Sequence, residues 1–326
     1  MMKVFVATTV FLLITMTWIK LEAETLPGVK KILFLGDSIT YSGQYVEFFE
    51  FILRAKLPSR QFEIINIGLP SETACGLSEP NHAGGAFPRP NVQDRLVRAL
   101  ELVKPDLVIA CYGMNDGIYY PFGEERFTQF QAGMTLLKKR VEEAHAKLIL
   151  LTPPPFDSSP IQKSCLLAGK PAYGSDRPFS GYDEVLGRYS NWLISERKQG
   201  WKVIDIHTAM RNYLDSQRKE NTNFILASDG VHLNETGHWQ ITLELLKYLK
   251  LPVKEVPFAQ AETESGVLKF SETLALIQKR QRILKDSWLT AIGHKRPGMN
   301  PGISTEEAKR QSLEIERQLQ SLEERK

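Results

Sequence analysis

Five short apolar runs, each followed by a segment with the length and apolar content of a helix, constrain this chain more than any other feature. The runs lie at 31–35 (Lys31-Ile32-Leu33-Phe34-Leu35), 62–67, 106–110, 147–151 and 202–206. Their length and composition suit strands buried on both faces, and helical segments are expected at 44–53, 91–103, 124–144, 183–198 and 208–217. This alternation predicts a five-stranded parallel sheet with right-handed crossovers, a three-layer α/β/α domain. Reactive groups in such a sheet gather in the crevice beyond the carboxyl ends of the strands.

The first run stops at Gly36 and gives way to Asp37 and Ser38, a small polar turn carrying a hydroxyl shortly before a helix. A helix start favours developing negative charge, so Ser38 is a candidate nucleophile. The bland alternative is a βα connection capped by Asp or Ser.

The second run ends in Gly68-Leu69-Pro70-Ser71-Glu72-Thr73 and opens a long Gly/Pro-rich loop containing His82 and Arg89. Loops of that length inside a domain are usually functional or disordered. The third run ends in Tyr112-Gly113-Met114-Asn115-Asp116-Gly117, and Pro153-Pro154-Pro155 closes the fourth. Residues 156–182 read as an irregular excursion over the carboxyl edge. A loop at 224–234, with Asp229 and His232, leads into a helix at 235–249. The composition shifts beyond Pro252, with a helix expected at 268–286, a basic turn at 293–298 and a charged terminal helix headed by a Ser304/Glu307 capping box. The expected organisation is a leader at 1–23, a domain at 24–253 and a helical extension at 254–326.

The formal charge is only +3 over 326 residues, too small to call for a nucleic-acid partner. Met1-Met2-Lys3 followed by an apolar stretch and Leu21-Glu22-Ala23 reads as a secretory signal, which implies a secreted or periplasmic protein without stable membrane insertion after cleavage. An uncleaved anchor is the alternative. Three cysteines, Cys75, Cys111 and Cys165, form no metal-binding spacing and allow at most one disulfide. His145 and His207 read as structural or solvated, and the spacing of His238 from His232 puts the two on different faces, which argues against a metal pair.

Ser38, Ser71 and Asn115 follow strand ends along one sheet edge, and the late loop brings Ser228-Asp229-Gly230-Val231-His232 to it. An Asp three residues before a His can bond one ring nitrogen while the other faces the serine. The four blocks Gly36-Asp37-Ser38, Asn66 to Thr73, Gly113-Met114-Asn115-Asp116 and Asp229-Gly230-Val231-His232 resemble, in order and placement, those of the SGNH hydrolase superfamily of GDSL-type esterases and lipases, over roughly residues 30–250. The resemblance implies the flavodoxin-like fold of that superfamily, Ser38 as nucleophile, His232 as general base and acid, and Asp229 as its orienter. It also implies an oxyanion hole from the Ser38 and Ser71 N–H groups and the Asn115 amide.

One departure stands out: the family has glycine where Ser71 lies, so Gly68 is the alternative donor. Asp37, His82, Arg89 and Tyr119 are candidates for substrate contact, although aromatics after a strand more often pack as core. The stretch 288–298 resembles tails on secreted members from planctomycete-like bacteria, and its basic turn reads as solvated surface, with coverage of the site as the alternative. The resemblance implies no metal or cofactor and a small-molecule or glycan ester as partner. The leading expectation is hydrolysis of short, acetyl-type esters on carbohydrate through an acyl-serine. Lipase, lysophospholipase or thioesterase chemistry on the same residues is the alternative, as is a noncatalytic carbohydrate-binding protein.

Overall fold

The computed structural model describes residues 26–251 and 270–324, with positions 254, 256, 258 and 260 between them. The expected signal at 1–23 and the expected boundary at 253 lie outside those residues. Among the described residues no helix is long and apolar enough to cross a membrane.

Strands β1 (Lys31–Gly36), β2 (Glu63–Asn66), β3 (Leu107–Cys111), β4 (Lys147–Leu151) and β5 (Val203–Ile204) form one parallel sheet in the order β2-β1-β3-β4-β5. Ile32 to Leu35 and Val108 to Ala110 are completely buried, as a parallel sheet covered on both faces requires. The order reverses between β1 and β3, whose register pairs Gly36 with Cys111. That reversal is where an open sheet of this kind leaves a crevice beyond its strand ends.

Among the described residues the α-helices are α1 (Ser38–Ser42), α2 (Gln44–Lys56), α3 (Leu96–Val103), α4 (Glu124–Glu143), α5 (Tyr182–Ser195), α6 (Ile206–Glu220), α7 (Glu235–Tyr248), α8 (Phe270–Ile292) and α9 (Thr305–Glu324). Several bounds differ from the sequence expectation for local reasons. A helix begins at Ser38 itself, because the Asp37 carboxylate accepts the Ile39 N–H at 2.9 Å and caps a short turn before α2. The segment from Asn91 starts as a 3-10 turn, since the Asn91 side chain takes the Gln93 N–H and the Val92 N–H is given to Thr73 O. Strand β5 is short because Asp205 caps α6 through the Thr208 N–H.

Helix α2 is buried on more than one side: Tyr45 to Leu53 are all shielded, including Glu47 and Glu50. The sheet covers one side, and α8 lies on another, with Phe270, Leu274, Ile277, Leu289 and Ile292 buried. Each such side chain contributes about 1.5 to 3 kcal/mol of burial. The buried Glu50 is met by Arg280 and Gln281 of α8, and Gln281 also donates to Ile64 O at 3.1 Å. The C-terminal helices are thus packed along the sheet domain, with the Arg54 and Arg280 guanidiniums on Glu316 of α9.

Candidate active site

Ser38 opens α1 one residue beyond its cap. Its position depends on two close approaches: a Cβ on Gly36 would meet Thr40 Oγ1 at 2.1 Å, and one on Gly68 would meet Tyr41 N at 2.4 Å. Both glycines let α1 fold back against the ends of β1 and β2. The Ser38 N–H, at the first turn of a helix, has no hydrogen-bond partner among the described residues.

The loop before α7 brings in the imidazole. It is held by a bridge between Ala227 and Leu233, by the Asp157 N–H on Gly230 O at 3.0 Å, and by Asn234, which caps α7. Within it Asp229 Oδ1 accepts the Val231 and His232 N–H groups at 3.0 and 2.7 Å, while Oδ2 lies 2.6 Å from His232 Nδ1. A carboxylate only accepts, so Nδ1 carries the proton and Nε2 offers its lone pair. Ser38 Oγ lies 2.8 Å from that nitrogen. The Asp229 hydrogen bond raises the His232 pKa above its ordinary 6.5 against the pull of desolvation. Desolvation pushes Asp229 upward, but the bonds from His232 and Val231 win and hold its carboxyl well below the usual carboxylate range.

Asn115 stands four residues beyond the end of β3, beside the end of β1 that carries Ser38. Its orientation is settled by its neighbours. Arg89 Nη1 donates to Oδ1 at 2.9 Å and the Tyr119 hydroxyl at 3.2 Å, whereas Nδ2 donates to Glu72 O at 3.1 Å, leaving one amide hydrogen over. Asp116, completely buried, accepts from Ala74, Cys75 and Gly113 N–H groups and ties this turn to the second block.

The two candidates for the second backbone donor differ in what their N–H groups do. Gly68 gives its N–H to Asn66 Oδ1 at 2.9 Å. The Ser71 N–H has no partner among the described residues, and Ser71 adopts φ +68, the left-handed region that glycine enters without strain. That conformation accounts for the serine-for-glycine departure: the backbone shape is kept and the serine bears the strain.

Asp37, His82, Arg89 and Tyr119 are all buried. Burial pushes the Asp37 carboxyl up to about 7. His82 bonds Phe87 O through Nδ1 at 2.8 Å, and Arg89 and Tyr119 stand behind Asn115. Tyr119 stacks on Tyr182 at 4.9 Å. Arg296 of the basic turn lies over the Phe87 ring at 5.4 Å, so that turn packs on the long loop. The cysteines are free thiols.

Sequence reasoning missed the ion pairs of the long loop. Glu79 and Arg89 form one pair and Glu72 and Arg95 another, each closed at 2.6 Å, with Tyr112 also donating to Glu72 at 2.7 Å. His238, read from the sequence only as facing away from His232, places its Nε2 3.0 Å from Ser42 Oγ, and burial lowers its pKa to about 3. Since Ser42 Oγ donates to Ile39 O, His238 is the donor of this bond, joining α7 to α1. Lys285 of α8 bonds Tyr41 O at 2.5 Å, so the extension also touches α1. For the ion pairs, the length of the loop was the signal the sequence offered.

Residues 34–240 match the GDSL-like lipase/acylhydrolase family. A mouse protein described as an isoamyl acetate-hydrolyzing esterase 1 homolog is 29% identical over 121 residues, which is 37% of this chain and 43% of the relative. The structure resembles a gut microbial diltiazem-metabolizing enzyme with TM-score 0.53 and 20% identity, covering 70% of this chain and 49% of that one. It also resembles an acetylxylan esterase mutant from Geobacillus stearothermophilus with TM-score 0.49 and 18% identity, over 68% of this chain and 95% of that one. The chain therefore spans less than half the length of the mouse relative and of the diltiazem-metabolizing enzyme. With four motif blocks along one sheet edge and a family match over more than half its length, the chain belongs to the GDSL-like lipase/acylhydrolase family.

Proposed function

We propose that this protein hydrolyses carboxylic esters through an acyl-Ser38 intermediate. The observation that carries the reading is the chain of contacts from Ser38 Oγ to His232 Nε2 at 2.8 Å and from His232 Nδ1 to Asp229 Oδ2 at 2.6 Å. Ser38 Oγ attacks the ester carbonyl as its proton passes to Nε2, and Asp229 stabilises the imidazolium. The proton then goes to the departing alcohol. Water, deprotonated by the same nitrogen, releases the acid and restores Ser38. The charge on the tetrahedral oxygen is met by the Ser38 and Ser71 N–H groups and the spare amide hydrogen of Asn115, and loss of one such donor costs about 3 to 4 kcal/mol.

The substrate reading is a small acyl group, acetyl first, on a bulky polar alcohol such as a carbohydrate. Its support is twofold: the mouse relative carries acetate-ester hydrolysis in its description, and the leaving-group side is open, with 54% of the His232 and 51% of the Asp229 side chain exposed. A leader at 1–23 and secretion accord with a glycan substrate outside the cell. The test is acetate release from a panel of acetylated glycans, with Ser38→Ala as the blank and esters of increasing acyl length alongside. Release from a glycan together with falling turnover on longer acyl groups supports the reading. Equal or better turnover of long-chain esters replaces it with a lipase or thioesterase, and undiminished activity of Ser38→Ala removes the serine mechanism.

A further inference from the structure

We infer that Arg89, held by Glu79, is a positioning residue for the charge-stabilising side of the site, fixing and polarising the Asn115 amide that faces the substrate oxygen. The inference rests on the acyl-serine reading and deepens it. The Arg89 side chain is 2% exposed and that of Glu79 1%. Nε and Nη2 are both taken by Glu79, at 2.6 Å each. This bidentate grip aims the remaining nitrogen, Nη1, at Asn115 Oδ1 at 2.9 Å and at Ser71 O at 3.4 Å.

Three consequences follow from that geometry. An unassisted primary amide can turn over and present its oxygen to the substrate, where it would repel an oxyanion. With Arg89 and Tyr119 donating to Oδ1 and Glu72 O accepting from Nδ2, only the orientation that leaves the second Nδ2 hydrogen for the substrate is satisfied. Next, a charged hydrogen bond received at Oδ1 draws electron density from the amide and strengthens its remaining N–H as a donor, the more so in a dry interior. The ion pair is neutral as a whole, yet its positive end is the one that touches Asn115. Lastly, the contact with Ser71 O lets one side chain brace both segments that carry proposed oxyanion donors. Arg89 does not reach outward to a ligand: it is enclosed by Glu79 and by the Tyr119 ring at 5.3 Å.

A single Arg89 substitution would strand a buried carboxylate, so the variant of choice is Glu79→Gln with Arg89→Gln, which removes both charges together. Its kcat on a short aryl ester is expected to fall about 10- to 100-fold, below the 100- to 1,000-fold loss typical of deleting a donor, with KM unchanged. In an Asn115→Ala background the same pair of substitutions is expected to cost far less, only the share that Arg89 carries through Ser71 O. Tyr119→Phe, which removes one hydroxyl and leaves no charge behind, should lower kcat less and also lose its effect in that background; it decides the matter if the double variant does not fold. An equal loss in the presence and absence of the Asn115 amide, or a rise in KM at constant kcat, overturns the inference while leaving the acyl-serine reading intact. Wild-type activity in Asn115→Ala itself would bring down the oxyanion assignment and this inference together.

Discussion

On one side of Ser38 stand His232 and Asp229, with 54% and 51% of their side chains exposed on a loop held by the Asp229 carboxylate, the Ala227–Leu233 bridge and the Asp157 N–H. On the other stands Asn115, 3% exposed, backed by the completely enclosed Glu72 and by Arg89 and Glu79 at 2% and 1%. The contrast follows from what each side has to do. A proton must be handed to a leaving alcohol and taken from water, so the imidazole has to meet solvent and leave room for a bulky group. A developing oxyanion is best met by dipoles already in place where water is excluded, so the Asn115 amide is buried and held by an ion pair. Buried charge is costly unless paired with good geometry, and here each guanidinium meets its carboxylate at 2.6 Å.

Substitutions on the open side should have the largest effects. Ser38→Ala, measured as kcat on an aryl acetate, should lose about a million-fold, because removing a nucleophile disables the whole unit. Asp229→Asn should lose about ten-thousand-fold by leaving the imidazole in the wrong tautomer. The same variant sharpens the pH behaviour. His232 must be neutral to accept the Ser38 proton, so kcat/KM falls as pH drops through its pKa, which the Asp229 bond holds above 6.5. Without the carboxylate that support is gone, and the acid limb of the residual activity should move to lower pH. An unmoved limb would assign it to another group, of which Asp37, at about 7, is the first to examine.

On the closed side, Asn115→Ala should cost about 100- to 1,000-fold in kcat, with thermal stability followed in parallel. A smaller pair of changes separates the two glycine-like positions. Gly68→Ala should disturb α1, since its Cβ would lie 2.4 Å from Tyr41 N, and lower both activity and melting temperature. Ser71→Gly should keep activity and gain up to about 1 kcal/mol of stability by relieving the left-handed serine. Loss of activity in Ser71→Gly would show that the hydroxyl, and not the backbone N–H, is what the reaction needs.

The open side was legible in the sequence because its logic is local: Asp229 and His232 are three residues apart and bond within one loop. The place of Asn115 just past a buried strand put it at the same edge, and only the resemblance of its motif block implied a role for its amide. The sheet was readable from its apolar runs, down to the edge on which the site lies. What could not be read was the wall behind Asn115, since no periodicity announces that Glu79 will close on Arg89, or Glu72 on Arg95. Those pairings are set by how a long loop folds over the second strand end, where Thr73 takes the Val92 N–H and gives its own to Pro90 O. The charged character of Glu47 and Glu50 gave no hint that α2 would be covered, because their partner α8 arrives from far along the chain. Ser38 looked like a turn residue and proved to be the first of a helix, a difference made by a single Asp37 cap.

The most direct measurement is to quench the protein during turnover of an activated acetate ester and locate the acyl group by peptide mass spectrometry. One acetyl group is expected, on the peptide bearing Ser38, accumulating further when His232 is replaced by a residue that cannot activate water and the ester is reactive enough to acylate without it. An acetyl group carried elsewhere, or turnover with Ser38 unmodified and replaceable, would contradict the acyl-Ser38 mechanism.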